Sequence, residues 1–431
     1  PAIEQQVMRL GIPGIDFITE SKRFYPGMRE ASHILGSTNV DNQGISGIER
    51  YMDTESVALL QELGLARGNA LTPVELSVDM RVQHVMYAQL TDAMTRYQAI
   101  ATAGVMMDIR TGEVVALASL PDFDPNEPST ALVKDTFNRV TSGIFEVGSI
   151  FKTITLAGSL DAGAVSMTDT FDARFGVRFG RYTISDFRGK NRILSLPEVF
   201  KYSSNIGTIR VMQAMGTDNF RAFLSTLGLD RRVPFELPEM RLPSVKATFS
   251  EVEAATASFG HGLSVSMLHM AAAYSAIANG GNYVAPTLYK REMAEAAGIY
   301  QRVLAPETSA NMRYLLRLNA VEGSGTQMNR ETVGYRTGGK TGTAEKVVDG
   351  AYSSSKVTNF FASVFPMDAP RYAMVIMVDE PRAENPQSGT TAGWNAGAVS
   401  GRIIQRVAPM LGVAPDFSET LDRQLLPQAM R

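Results

Sequence analysis

The sequence predicts a mixed α/β or α+β fold, in which strands from both ends of one long domain form a sheet and helices from its middle cover it. Three observations carry this expectation. Residues 103–121 read as a hairpin, two β-rich runs about the turn Arg110–Glu113. Three further strand-like runs, 338–347, 357–366 and 371–380, come near the C-terminus. Between about 149 and 280 the chain reads as several helices separated by turns such as 161–165 and 278–282.

The elements follow in order. Residues 1–69 are rich in Gly, Asn, Asp and Ser, and read as a smaller module of short strands and turns with one helix at about 53–65. The stretch 64–73 reads as a connector to the main domain, 70–431. A short alternating strand then leads into a helix from about Met80, whose apolar positions Val82, Val85, Met86, Leu90 and Met94 recur at helical spacing. The hairpin, the central helices and the three late strands come next. A last helix at about 396–411 closes the domain, preceded by its longest irregular polar stretch, 381–397, a type of loop that often borders a site.

Bulk properties narrow the classes. With 431 residues the chain exceeds one ordinary core, so two or more domains are expected. A net charge of −3 gives no sign of a nucleic-acid partner. The absence of cysteine excludes structural disulfides, thiol catalysis and cysteine-ligated zinc. No apolar run reaches the roughly 18 residues that cross a bilayer. The first residue is Pro1, without a signal-like segment, so upstream residues, an N-terminal anchor among them, are expected to have been removed. His33, His84, His261 and His269 show no metal-ligand spacing, and the 22 methionines are scattered as core fillers. His261 either lines a cleft or packs against its neighbours. Trp394 either touches a substrate or anchors its loop.

One pair of residues demands explanation. Ser149 and Lys152 stand at the start of an apolar helix, on one face at i and i+3. A lysine among Ile150, Phe151, Ile154 and Leu156 is costly unless it is paired or neutral. A serine at a helix start sits in positive potential, and a desolvated lysine can take its proton. The same two-letter pattern recurs at Ser353 and Lys356, in what reads as a polar loop. Two further segments keep Ser149 and Lys152 company. Ser203-Ser204-Asn205 places hydroxyls and a carboxamide at the head of another apolar helix, where alone it reads as a cap; a similar Ser309–Asn311 reads as a helix-surface accident. Lys340-Thr341-Gly342-Thr343 follows two glycines and opens a strand. Glycine there suits a backbone that something approaches closely, such as a substrate added along the edge; alone, it reads as a turn before a solvated lysine. Near the site, Lys340 would push down the pKa of a neighbouring lysine.

Together the three segments carry the S-x-x-K, S-x-N and K-T-G pattern, and the chain resembles the penicillin-binding transpeptidases. The likeness extends over 111–126, 138–152, 258–281 and 336–346. In the first module Arg23, Tyr25, Pro26, His33, Gly36, Gly44, Gly47 and Glu49 resemble the N-terminal pedestal of monofunctional class B enzymes, the septal FtsI type above all. Val147 stands where many relatives have proline, and Ser204 where β-lactamases have aspartate.

The resemblance implies an antiparallel sheet with helices on both sides, a serine acyl-enzyme and no cofactor or metal. It implies that Ser149 attacks the carbonyl between the two D-alanines of a peptidoglycan stem peptide, with Lys152 as base. Ser203 would pass the proton to the leaving amine, and Asn205 would hold the peptide amide and orient Lys152. Lys340, Thr341 and Thr343 would bind the terminal carboxylate, with Gly342 admitting the substrate to the strand. The backbone N–H groups of Ser149 and Thr343 would form the oxyanion hole. β-Lactam antibiotics would acylate Ser149 and stay. A membrane glycosyltransferase and other division proteins are the implied partners, and the periplasmic side of a bacterial inner membrane the implied location. A β-lactamase or D,D-carboxypeptidase would need neither the first module nor an anchor. A division scaffold would not need Ser149, Lys152, Asn205 and Lys340 intact.

Overall fold

The computed structural model describes residues 2–17, 22–62, 73–348 and 350–418. The end of the first module and all of the expected connector except Pro73 lie outside them, and with these the 69/70 boundary.

The first module differs from expectation. The expected helix, α1, spans Gly47–Glu62, starting six residues earlier than the sequence suggested; two more helices, Ala2–Arg9 and Ser32–Leu35, were not expected, and the module's described residues pair only once, at Thr38 and Gly44. The side chain of Asn39 explains the missing strands. Its Oδ1 accepts from Asp41 N at 3.0 Å and Gln43 N at 2.9 Å, closing a local turn in place of a ladder. Glu49 in the first turn of α1 binds Arg23 at 2.9 Å and Tyr25 Oη at 3.3 Å. The module is hydrogen-bonded to the main domain: Tyr25 N donates to Asn126 Oδ1 at 2.9 Å, Arg29 meets Asp122 at 3.0 Å, and His33 Nε2 lies 2.7 Å from Thr136 O.

The expected strand before α2 reduces to one bridge, Leu76 to Tyr289. Helix α2, Met80–Arg96, starts where predicted because Asp79 Oδ1 caps Arg81 N at 2.9 Å. The hairpin forms β1, Ala101–Asp108, and β2, Val114–Leu120. The late runs form β3, Gly338–Val348, β4, Ala351–Phe365, and β5, Tyr372–Asp379. They make one five-stranded antiparallel sheet in the order β2-β1-β5-β4-β3, which leaves β3 an edge strand. Ser353 and Lys356, expected in a loop, lie within β4, whose pairing with β3 is irregular between Ser353 and Val357.

Both sheet faces are buried, which explains the unbroken apolar runs. On β5, Val375 and Met377 join one core while Met374, Ile376 and Val378 join the other. The second core is completed by α2 and the C-terminal helix Ala398–Val407, which starts later than predicted because a π-turn occupies Gly393–Gly397 and ends earlier, just before Pro409. The first core is built on α3, Lys152–Asp161, α4, Asn205–Met215, and α5, Met267–Ala278. Every residue of α5 is buried, as an apolar helix without a polar face must be. Two short ribbons, Thr170–Asp172 with Ile193–Ser195 and Val177–Phe179 with Tyr182–Ile184, were not foreseen. No described helix is long and apolar enough to cross a membrane.

Candidate active site

The predicted site residues converge where the start of α3, the start of α4 and the edge strand β3 meet. Ser149 is half-buried on a tight 3-10 turn, Gly148–Phe151, that runs directly into α3. Tyr274 Oη of α5 donates to Ile150 O at 2.8 Å and anchors that turn from below.

Lys152 and Lys340 are both buried, so neither is the solvated lysine of the simpler reading. Ser203 lies between them. Lys340 Nζ donates to Ser203 Oγ at 2.9 Å, and Lys152 Nζ stands 3.3 Å from the same oxygen. Lys152 Nζ also donates to Ser203 O at 2.5 Å and Asn205 Oδ1 at 2.7 Å. Ser203 reaches this position through a left-handed backbone, φ 56°, which a non-glycine residue adopts only where its surroundings hold it. The bland reading of this segment is true as well. Ser204 caps α4, its Oγ accepting from Gly207 N at 2.9 Å. The cap fixes the helix start that presents Asn205 to Lys152.

Burial, reinforced by the neighbouring Lys340, holds Lys152 well below the ordinary lysine pKa, against an upward pull from Asp186. Burial lowers Lys340 to about 7. The native protein therefore binds fewer protons at Lys340 than the unfolded chain does between about pH 7 and the ordinary lysine value of 10.5. Its contribution to stability must rise with pH across that window. The denaturation midpoint of Lys340→Met, measured at pH 7 and pH 9, is expected to rise less with pH than that of the unaltered protein. Equal rises would refute the buried, depressed lysine.

Edge strand β3 presents alternate residues to opposite sides. Lys340 turns toward Ser203. On the other side Thr341 Oγ1 donates to Ser324 Oγ at 2.6 Å and Thr343 Oγ1 to Asn359 Oδ1 at 2.8 Å. Gly342 also meets a neighbour within the protein. A Cβ there would lie 2.3 Å from Val147 O and 3.1 Å from Ile150 N. Its bareness admits the serine's own turn, so the strand can lie directly against it. Gly148, at φ 55°, faces the strand in return, with Thr343 O 2.6 Å from its own would-be Cβ. Gly342→Ala is expected to cost about 1–3 kcal/mol through overpacking against backbone that cannot move aside. It should also slow acylation of Ser149 at least tenfold, read by thermal unfolding and labelled-penicillin kinetics on the same sample.

Several supporting residues gave no sequence signal. Asp186 accepts from Ser204 Oγ at 2.7 Å and Ile206 N at 3.0 Å, bracing the segment that carries Ser203 and Asn205. Buried Asn319 donates to Gly339 O at 2.7 Å and accepts from Ser324 N at 3.1 Å, holding the start of β3. Asn359 donates to Thr390 O at 2.6 Å and so ties the irregular 381–397 stretch to the strand beneath Thr343.

A half-buried serine on a tight turn, a buried lysine with depressed pKa, a second lysine sharing one hydroxyl with it, and an edge strand alongside are the parts of a serine acyl-transferase site. The chain belongs to the penicillin-binding protein transpeptidase family, whose "Penicillin binding protein transpeptidase domain" matches residues 102–404. It is 34% identical to the "Probable peptidoglycan D,D-transpeptidase FtsI" of Caulobacter vibrioides, over 96% of this chain and 70% of that protein. It is 29% identical to the "Peptidoglycan D,D-transpeptidase FtsI" of Escherichia coli K12, over 98% and 73%. Among solved structures, penicillin-binding protein 3 of Mycobacterium tuberculosis, complexed with aztreonam, superposes with a TM-score of 0.79 at 26% identity, covering 91% of each chain. The transpeptidase domain of Burkholderia pseudomallei penicillin-binding protein 3 superposes at 0.71 with 29% identity, covering 81% of this chain and all of that one.

Proposed function

We propose that Ser149 is the nucleophile and Lys152 the general base of a peptidoglycan D,D-transpeptidase that cross-links stem peptides during cell-wall synthesis and division. The observation that carries this reading is the buried pair of lysines meeting at Ser203 Oγ. Ser149 Oγ attacks the carbonyl between two D-alanines while neutral Lys152 takes its proton. Ser203, between the lysines, relays the proton to the leaving D-alanine nitrogen. Asn205 fixes Lys152 and receives the peptide amide. Lys340, Thr341 and Thr343 hold the terminal carboxylate. The N–H groups of Ser149 and Thr343, on segments in van der Waals contact, stabilise the oxyanion, a contribution of about 3–4 kcal/mol when one such donor is lost. The acyl-enzyme then passes to a second stem peptide.

Residues 1–69 act as a pedestal and docking module, and 70–431 as the transpeptidase domain. Work on the periplasmic side of the inner membrane, beside a membrane glycosyltransferase and other division proteins, completes the reading. β-Lactams acylate the same serine. Labelled penicillin followed by mass spectrometry tests it. A single adduct on the Ser149 peptide, lost slowly, is expected. An unlabelled protein would sink the assignment, and turnover of the adduct within seconds would move it to a β-lactamase.

A further inference from the structure

We propose that the recess formed by Glu146, His261, Tyr352 and Glu345 beside Ser149 receives the primary ammonium group of the acceptor stem peptide, and that His261 takes a proton from it before attack. This rests on the transpeptidase reading and names the binding place of its second substrate.

The recess is built onto the nucleophile's turn. Glu146 precedes Ser149 by three residues, and its Oε1 accepts from Gly262 N at 2.9 Å and Tyr352 Oη at 3.0 Å. Its other oxygen, Oε2, is buried with no hydrogen-bond partner, and so is Nδ1 of His261. The His261 ring stands against Phe259 and Tyr352, with centroids at 5.2 and 6.1 Å. Immediately before it, Gly260 O accepts from Gly148 N at 3.2 Å, which fixes His261 to the backbone next to Ser149. Glu345 is exposed on β3, two residues beyond Thr343.

Charge separates the two ends of the cleft. Lys152 and Lys340 occupy the end that suits a donor carboxylate. Glu146 and Glu345 occupy the other, and neither has a cationic partner among the described residues; the adjacent Lys346 is committed to Asp379 and Glu380. Unlike the lysine end, this end offers acceptors that lack donors, which an ammonium would supply. Burial, aided by Lys152, lowers the His261 pKa against the upward pull of Glu146 and Glu345, so the ring starts unprotonated.

The steps balance. The acceptor R–NH3+ gives one proton to His261, which releases it to solvent. The R–NH2 nitrogen bonds to the acyl carbonyl carbon. Its second proton passes to neutral Lys152 and on to Ser149 Oγ as the C–Oγ bond breaks. The products are the new amide, free Ser149 and one proton in water.

The test uses the whole chain, an N-acyl D-Ala-D-Ala peptide as donor, and a tripeptide with a free side-chain amine as acceptor. Aminolysis and hydrolysis products are counted by mass spectrometry, and acylation is followed separately with labelled penicillin. His261→Ala is expected to lower the aminolysis-to-hydrolysis ratio at least tenfold, with partial recovery in added imidazole. Glu345→Gln, an exposed change that does not threaten folding, is expected to raise the half-saturating acceptor concentration several-fold, and added salt should shrink the difference. A ratio unchanged in His261→Ala together with an unchanged half-saturation in Glu345→Gln overturns the proposal. Acylation and aminolysis falling in equal proportion also overturns it, because that marks a structural role. Failure of the unaltered protein to take penicillin sinks the transpeptidase reading instead, so the two failures are distinct.

Discussion

Ser149→Ala is expected to abolish covalent labelling by penicillin, a loss of about 10⁴-fold or more in acylation rate, since removing the nucleophile removes the covalent route. The fold should survive. Ser149 is half-buried, and its turn is anchored through backbone atoms, by Tyr274 on Ile150 O and Gly260 on Gly148 N. Thermal unfolding of the variant should therefore match the parent closely. Ser353→Ala supplies the control. Its serine shares the Ser-x-x-Lys spacing but sits in β4, where its Oγ lies 3.1 Å from Ser355 Oγ, with neighbours exposed to solvent. It should label normally. Labelled Ser149→Ala, or unlabelled Ser353→Ala, would relocate the nucleophile.

Lys152→Met is expected to slow acylation by about 10²–10⁴-fold, the usual contribution of a positioned general base. Methionine keeps the stem's apolar volume and deletes the ammonium. It leaves Ser203 O and Asn205 Oδ1 without the donor they share. Deleting the buried amine relieves its desolvation but leaves those two acceptors unpaired, so the unfolding temperature should change little while activity collapses. A variant that keeps near-normal acylation would shift the base role to Lys340, the other lysine in reach of Ser203 Oγ. Measuring Lys340→Met beside it tells the two apart.

Much of this was legible in the sequence because it is local. The hairpin and the last two strands are long and apolar enough to announce themselves, the strand Gly338–Val348 was read from its glycine- and threonine-bearing motif, and the three short motifs each sit on a contiguous stretch. What was illegible depends on contacts between distant segments. Asp186 braces Ser204, and Asn319 braces Gly339, yet a lone Asp or Asn in a polar stretch looks the same whether it is solvated or buried in a network. The ribbons around 170–195 have three-residue strands, too short for alternation to emerge. In the first module, side-chain turns at Asn39 satisfied a backbone that composition alone suggested was paired in strands. Gly342 was correctly singled out as a place of close approach, but the approaching partner, the turn at Val147–Ile150, lies nearly 200 residues earlier in the chain.

The irregularity between Ser353 and Val357 has a bearing on how this enzyme can change over evolutionary time. It separates the inner β3–β4 ladder, where Lys340 faces Ala362 and Thr343 faces Asn359, from an outer tip that pairs independently at Ser353–Lys346. Insertions or deletions at the tip can be absorbed at that joint. Farther in, a slip of a single residue would turn Lys340 away from Ser203 and put Gly339 or Thr341 in its place. Length variation among descendants of this chain should therefore concentrate beyond Glu345, with the inner ladder inherited unaltered in length.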